Sequence, residues 1–314
     1  MTIGIIGAGA IGGWVAGKLA VAGEQVSLLA RGETLAAIQR NGLILSETGK
    51  TVTARITASD DPAKLGVQDV VIIAVKAPSL PAAALAAYAM IGPSTLIVPM
   101  INGVPWWFLP GEPLRSVDPD GRIAAALPHD RLIGCVVHAA CRREGPNHVA
   151  VQHADRLILG EPGGGSSARV AELAALVDRA GIRAEASDNV RRAIWYKLWG
   201  NMTINPISAL TRVTADRLLA SAALKPFILA AMAEAAVVGA AIDCSIVESG
   251  EDRLAVTARL GAFKPSMLQD VEAGRRIELE ALLGAPREIG VRVGVPTPTI
   301  DTLYALAKLL DDGC

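Results

Sequence analysis

Gly7, Gly9 and Gly12 carry the spacing G-x-G-x-x-G in Gly7-Ala8-Gly9-Ala10-Ile11-Gly12. Between a strand and a helix, that spacing cradles the pyrophosphate of a dinucleotide. Gly7 lets the chain turn sharply off the strand, Gly9 lets phosphate approach the backbone, and Gly12 lets helix and strand pack closely. The helix that follows offers free N–H groups and the positive end of its dipole. Arg31 follows the glycines at roughly the interval where an acid would grip the ribose 2′-hydroxyl of NAD; an arginine there suits the 2′-phosphate of NADP(H) instead. Arg31 is equally acceptable as a surface charge at a strand end.

A second group lies in the other half of the chain. Lys197, Asn201 and Asn205 are spaced i, i+4, i+8, one face of a helix, among Ile194, Trp195, Leu198, Trp199, Met202 and Ile204. A polar stripe on so apolar a helix needs partners, because burying it unpaired is costly. A polar ligand in a cleft would supply them; alternatively Lys197 reaches water and the asparagines are incidental. Ser266 opens Ser266-Met267-Leu268-Gln269-Asp270 as an expected N-cap, with Gln269 completing a capping box. A helix N-terminus also suits a carboxylate, so Ser266 has two compatible uses. Glu278 and Glu280 differ by two residues and cannot share a helix face, so one of them is expected to be a solvated charge.

The elements that position these groups follow from pattern. Thr2–Ile6 and Gln25–Ala30 read as strands, Val15–Ala22 and Thr34–Asn41 as helices, and Leu43–Thr57 as short strands around Glu47–Lys50. Asp69–Val75 is a continuous apolar run, the mark of a central parallel strand, with Lys76 at its carboxyl end. Leu96–Ile101 is the next strand and leads into Asn102-Gly103. Ligands of open α/β sheets sit outside the carboxyl ends of the strands, which puts Lys76 and Asn102 at the same crevice as the glycine turn. Pro105–Asp120, with Trp106, Trp107 and Phe108, is a loop that serves as lid, substrate wall or packed surface. Leu132–Ala139, Val149–His153 and Arg156–Leu159 read as strands. Helix Ala168–Ala180 and strand Arg183–Ala186 are expected to complete the sheet. Beyond Asn189 the pattern is helical: 189–204, 216–221, 225–242, 249–262, 267–285 and 298–311. Pro206 marks an expected helix end, and Gly274 an expected break. The fold class is α/β: an N-terminal Rossmann-type parallel-sheet domain, 1–187, then an all-α C-terminal domain, 188–314.

With 314 residues, 51% hydrophobic and 19% charged, the chain suits a two-domain enzyme. A net charge of −1 and the lack of a long basic run argue against nucleic acid as a partner. Cys135, Cys141, Cys244 and Cys314 form no C-x-x-C pair, and no H-E-x-x-H occurs, so neither a metal site nor a disulfide framework is expected. A first strand at residue 2 leaves no room for a signal peptide. Phe227–Ala241 is interrupted by Glu234 and too short to span a bilayer. The expected location is the cytoplasm. That apolar helix buries itself in its own domain or against a second copy, which leaves a homodimer open.

The chain resembles the ketopantoate reductase family over essentially its whole length. The resemblance rests on GAGAIG, Arg31, VK at Lys76, NG at Asn102-Gly103, HAACRREG at His138–Gly145, YKLWGNMTINP at Tyr196–Pro206, PSMLQD at Pro265–Asp270 and IELEALLG at Ile277–Gly284, in the family's order. It implies NADPH-dependent reduction of a small 2-keto acid to a 2-hydroxy acid, as in the pantothenate pathway, in the cleft between the domains. It puts the catalytic lysine at Lys197 and the essential acid at Glu278. Substrate-binding residues fall on Asn102, Asn201, Asn205 and Ser266. Cofactor contacts fall on Gly7, Ala8, Gly9, Ala10, Ile11, Gly12, Arg31, Lys76, Asn102, Ala140 and Glu278. The chain departs from the family pattern at Val104-Pro105-Trp106-Trp107, at Phe263 where some members carry asparagine, and near Ala215 where a polar contact is replaced. The alternatives are a dehydrogenase for another 2-keto or hydroxy acid on the same fold, and a non-catalytic NADP(H)-binding protein.

Overall fold

The computed structural model describes residues 1–111 and 113–313; Glu112, in the loop 105–120, and Cys314 lie outside them. The chain forms two compact units, Met1–Ile101 with Gly121–Val190, and Asn102–Asp120 with Arg191–Cys314. The excursion Asn102–Asp120 thus belongs with the second unit, although it interrupts the first in sequence.

The first unit opens β1 (Thr2–Ile6), α1 (Ala10–Val21), β2 (Gln25–Leu29), α2 (Gly32–Asn41). A hairpin follows, β3 (Leu43–Glu47) and β4 (Lys50–Ala54), then β5 (Thr57–Ser59), β6 (Gln68–Ile73), α3 (Leu80–Ala87) and β7 (Ile91–Pro99). Five of these strands form one sheet in the order β5-β2-β1-β6-β7, and every pairing in it is parallel. β1 and β6 are buried on both faces, which is why their sequences are unbroken apolar runs. After α4 (Arg122–Ala126) come β8 (Gly134–Gly145), β9 (His148–Gly160), α5 (Ala168–Arg179) and β10 (Ala184–Ser187). They make a second sheet, β10-β9-β3-β4, with β8 antiparallel along β9. Strand β10 therefore does not complete the first sheet; it pairs in parallel with β9. β9 is one strand where two were expected. Register shifts in β8 at His138/Ala139 and Ala140/Cys141 let pairing continue past the polar stretch Gln152–Asp155, as bulges do. Ile3, Ile5, Trp14, Leu19, Leu28, Val70 and Ile72 share one core cluster with Leu157, Leu159, Val170, Leu173 and Val177.

The second unit is helical: α6 (Val190–Thr211), α7 (Ala215–Leu219), α8 (Lys225–Ala241), α9 (Gly250–Ala258), α10 (Ser266–Glu272), a π-helical turn (Glu280–Gly284), α11 (Ala285–Val293) and α12 (Pro298–Asp311). α6 continues through Pro206 instead of ending there. Proline removes one hydrogen bond, to the carbonyl four residues back, and the buried Met202, Ile204 and Ile207 hold the helix across the gap. The expected helix 267–285 is divided. Gly274 has φ +63°, and the Arg275 N–H donates back to the Asp270 carbonyl at 2.9 Å, which ends α10. Among the described residues no helix is long and apolar enough to cross a membrane, and no group of three or more His, Cys, Asp or Glu is gathered for a metal ion.

Candidate active site

In the first unit the glycine turn, Arg31 and Lys76 share the carboxyl edge of one sheet, and Ala140 lies on the other. The glycine turn follows β1, Arg31 follows β2, and Lys76 lies just beyond β6, the neighbour of β1 on its other side. Gly7 has φ +109°, and an added Cβ would lie 2.6 Å from the Ala74 carbonyl oxygen. At Gly12 an added Cβ would run into the Gly7 carbonyl, so α1 approaches the turn as closely as a missing side chain allows. Gly9 is the opposite case: an added Cβ meets nothing within 4 Å. Two of the three glycines are thus required by the protein itself, and the third faces open space at the start of α1. The first N–H groups of a helix have no acceptor inside it; here these are the N–H groups of Ala10, Ile11 and Gly12. A pyrophosphate fits this opening. Arg31 is exposed, in extended backbone as the residue before α2, and its side chain does not cap that helix. Lys76 is exposed, Ala8 is half-buried, and Ala140 is exposed on β8, opposite His153.

In the second unit α6 carries the polar stripe. The Trp195 indole N–H donates to the Ala235 carbonyl at 3.1 Å, and Trp199 to that of Met232 at 2.8 Å, both on α8. At Gly239 a Cβ would collide with the Trp195 ring, so α8 is small where the indole lies. Successive residues turn about 100° around a helix. Lys197 and Asn201 therefore point away from the face that Trp195 and Trp199 dock on α8. Lys197 and Asn201 are half-buried and Asn205 is buried.

Glu278 is only 4% exposed, and the Asn102 amide donates to its Oε2 at 3.5 Å. Glu280 is not a solvated charge: it accepts the Tyr304 hydroxyl at 2.8 Å. Burial, reinforced by this carboxylate, pushes the Tyr304 hydroxyl up to about 12. Ser266 is half-buried and is the first residue of α10; the residue before the helix is Pro265, and no side chain caps it. The expected capping box is absent because Gln269 turns instead to the Lys264 carbonyl at 2.8 Å.

Two family models cover the chain almost end to end: ketopantoate reductase PanE/ApbA over residues 3–164, and its C-terminal counterpart over 189–311. The chain belongs to the ketopantoate reductase family. It is an oxidoreductase of a nicotinamide-dependent type. A 2-dehydropantoate 2-reductase from Mesorhizobium japonicum is 41% identical, covering 100% of this chain and 99% of its own. Among solved structures, a proposed ketopantoate reductase from Ralstonia solanacearum MolK2 is 52% identical with TM-score 0.96, over 99% of this chain and 98% of that one. The 2-dehydropantoate 2-reductase from Methylococcus capsulatus is 30% identical with TM-score 0.87, over 100% and 97%.

Some surroundings of these family motifs were not readable from the sequence. The loop after Asn102 is a packed element: Trp106, Trp107, Phe108 and Leu114 are buried, and Phe108 stacks on Trp195 with centroids 5.8 Å apart. Glu288 tethers it, accepting the N–H of Arg115 at 3.0 Å and of Ser116 at 2.7 Å. Burial pushes the Glu288 carboxyl up. The donors of Ser116, Arg115 and Arg292 outweigh that and hold it below its ordinary range. On the other flank of α6, the Arg253 guanidinium fills the space left by Gly200 and lies over the Tyr196 ring at 5.4 Å. No spacing rule joins residues so far apart in the chain.

Proposed function

We propose that this protein reduces 2-dehydropantoate to pantoate with NADPH. The observation that carries the substrate is the 41% identity to a 2-dehydropantoate 2-reductase over the whole of both chains. NADPH, when bound, supplies the hydride. Gly7–Gly12 hold the pyrophosphate, Arg31 the 2′-phosphate, and Lys76, Asn102 and Ala140 the remainder of the cofactor. Lys197, as ammonium, polarises the keto oxygen and gives it a proton as charge develops there. Asn201 and Asn205 orient the substrate and the lysine, and Ser266 holds the substrate carboxylate. Glu278 accepts a hydrogen bond from the substrate hydroxyl. The docking of Trp195 and Trp199 on α8 supports the lysine's role, because it turns Lys197 and Asn201 away from the face packed on α8.

The experiment is NADPH oxidation with ketopantoate, with NADH and other 2-keto acids alongside. Lys197→Ala should lower kcat by orders of magnitude and leave NADPH binding nearly intact; near-normal turnover sinks its assignment. Arg31→Asp should weaken NADPH far more than NADH; an equal response removes Arg31 as the phosphate clamp.

One observation favours a second reading, a different 2-keto acid on the same machinery. Two positions where the chain departs from its family meet: the Ala215 N–H donates to the Phe263 carbonyl at 3.1 Å, three residues before Ser266. Turnover of an acid with a more apolar tail in preference to ketopantoate would select it.

A further inference from the structure

Asn102 and Glu278 are 176 residues apart in the chain, and their contact of 3.5 Å is at the outer limit of a hydrogen bond. Such a contact has no slack, so something must hold the two backbones in register. The residues beside them do so. The Val104 N–H donates to the Ala281 carbonyl at 2.8 Å. Gly103, between Asn102 and that donor, has φ +79°, and a Cβ there would run into the same carbonyl oxygen and lie 2.6 Å from its carbon. Ala281 is the second residue of the π-helical turn Glu280–Gly284, which begins two residues after Glu278. A π turn is rare and is frequently found at functional sites. This one is braced on its far side: the Glu280 carboxylate takes the Tyr304 hydroxyl at 2.8 Å and folds over Gly284, where a Cβ would strike it.

We propose that Gly103 is a positioning residue: bare of a side chain, it lets the backbone after Asn102 dock on the Ala281 carbonyl of the π turn, and this clamp holds the Asn102 amide on the Glu278 carboxylate. The proposal rests on the assignment of Asn102 and Glu278 to the active site. The Cβ of alanine would have to push the two backbones apart by about 1 Å to reach ordinary contact distance, which takes the Asn102–Glu278 pair out of hydrogen-bond range. It would also force a residue with a side chain into left-handed backbone.

The test is a double-mutant cycle. Gly103→Ala should lower kcat/KM about tenfold, the order expected for one hydrogen bond to a charged group, and Asn102→Ala, which also loses its cofactor contact, by more. The double variant should fall no further than Asn102→Ala alone, because Gly103→Ala acts only through the contact that Asn102→Ala has already removed. Effects that multiply, or a lower Tm with kcat/KM per folded molecule unchanged, overturn the proposal. If Gly103→Ala does not fold, Val104→Pro deletes the clamping N–H and takes its place in the cycle. A readout independent of turnover is the NMR signal of the Asn102 side-chain amide. It should respond to Glu278→Gln in the unaltered protein and cease to respond once the clamp is broken; an unchanged response in the clamp variant overturns the proposal. A protein that turns over no 2-keto acid would sink the functional assignment, and the amide signal would still decide the clamp.

Discussion

Glu288→Gln isolates the tether of the loop that follows Asn102. Each carboxylate oxygen of Glu288 receives its own backbone donor, Arg115 at 3.0 Å on Oε1 and Ser116 at 2.7 Å on Oε2, and Arg292 adds 2.6 Å on Oε1. Glutamine keeps one acceptor and turns an NH₂ toward the other N–H, so one bond is lost and a donor faces a donor. A hydrogen bond to a charged group is worth roughly 1.5–3 kcal/mol when buried. The Glu288 side chain is 20% accessible, and solvent screening trims that figure, leaving about 1–2 kcal/mol at neutral pH. For domains of this size this is a fall in Tm of about 3–6 °C. The pH dependence supplies a second check. Glu288 is held below its ordinary range in the folded state, so its contribution is present above the unfolded carboxyl value of about 4.3. It is lost as pH falls through the folded value. The difference in Tm between the native protein and Glu288→Gln should be constant from about pH 6 to 7 and shrink as pH falls below about 4.3. Scanning fluorimetry across that range measures it. Equal melting at neutral pH, or a gap that survives acidification unchanged, refutes the tether.

Three further outcomes are expected. Gly12→Ala should destabilise the fold and abolish NADPH binding, because its Cβ collides with the Gly7 carbonyl, whereas Gly9→Ala should keep the native Tm and weaken NADPH alone, since its Cβ meets nothing within 4 Å; melting curves with and without NADPH separate the two. Trp199→Phe should cost about 2–3 kcal/mol in chemical denaturation, the sum of a lost buried bond to Met232 and a small cavity. Burial pushes the Cys141 thiol up to about 12 and Cys244 to about 11, so neither should be alkylated in the native protein at pH 8, as mass mapping after iodoacetamide would reveal.

Local rules made much of this legible. The glycine turn, Arg31 and Lys76 were readable because each sits at a strand end whose apolar run is short-range information. The stripe Lys197–Asn201–Asn205 was readable because helical spacing alone aligns it. What stayed hidden depends on partners distant in sequence. Pro206 reads as a stop, yet the apolar packing of Met202, Ile204 and Ile207 outweighs one missing hydrogen bond. Ser266 has the right residue type for a cap, but Gln269 finds the Lys264 carbonyl and the helix begins uncapped. Glu280 looks like a spare charge until Tyr304 arrives from α12. The second sheet was illegible because β3 and β9, more than a hundred residues apart, pair in parallel, and no local signal announces that.

The excursion Asn102–Asp120 has a consequence for how the protein is made. Its aromatic residues Trp106, Trp107 and Phe108 are buried and belong to a unit whose remainder begins at Arg191, about 85 residues later in synthesis. At roughly 5–20 residues per second on the ribosome, these three side chains wait about 4–17 s for the first residues of the rest of their unit to be polymerised. Trp195, on which Phe108 stacks, is among the earliest of them. A nascent chain halted between residues 121 and 190 therefore carries Phe108 without the ring it stacks on, and a truncation at Val190 would leave it so permanently. An excised first unit should stay soluble only if that segment is replaced by a short polar link.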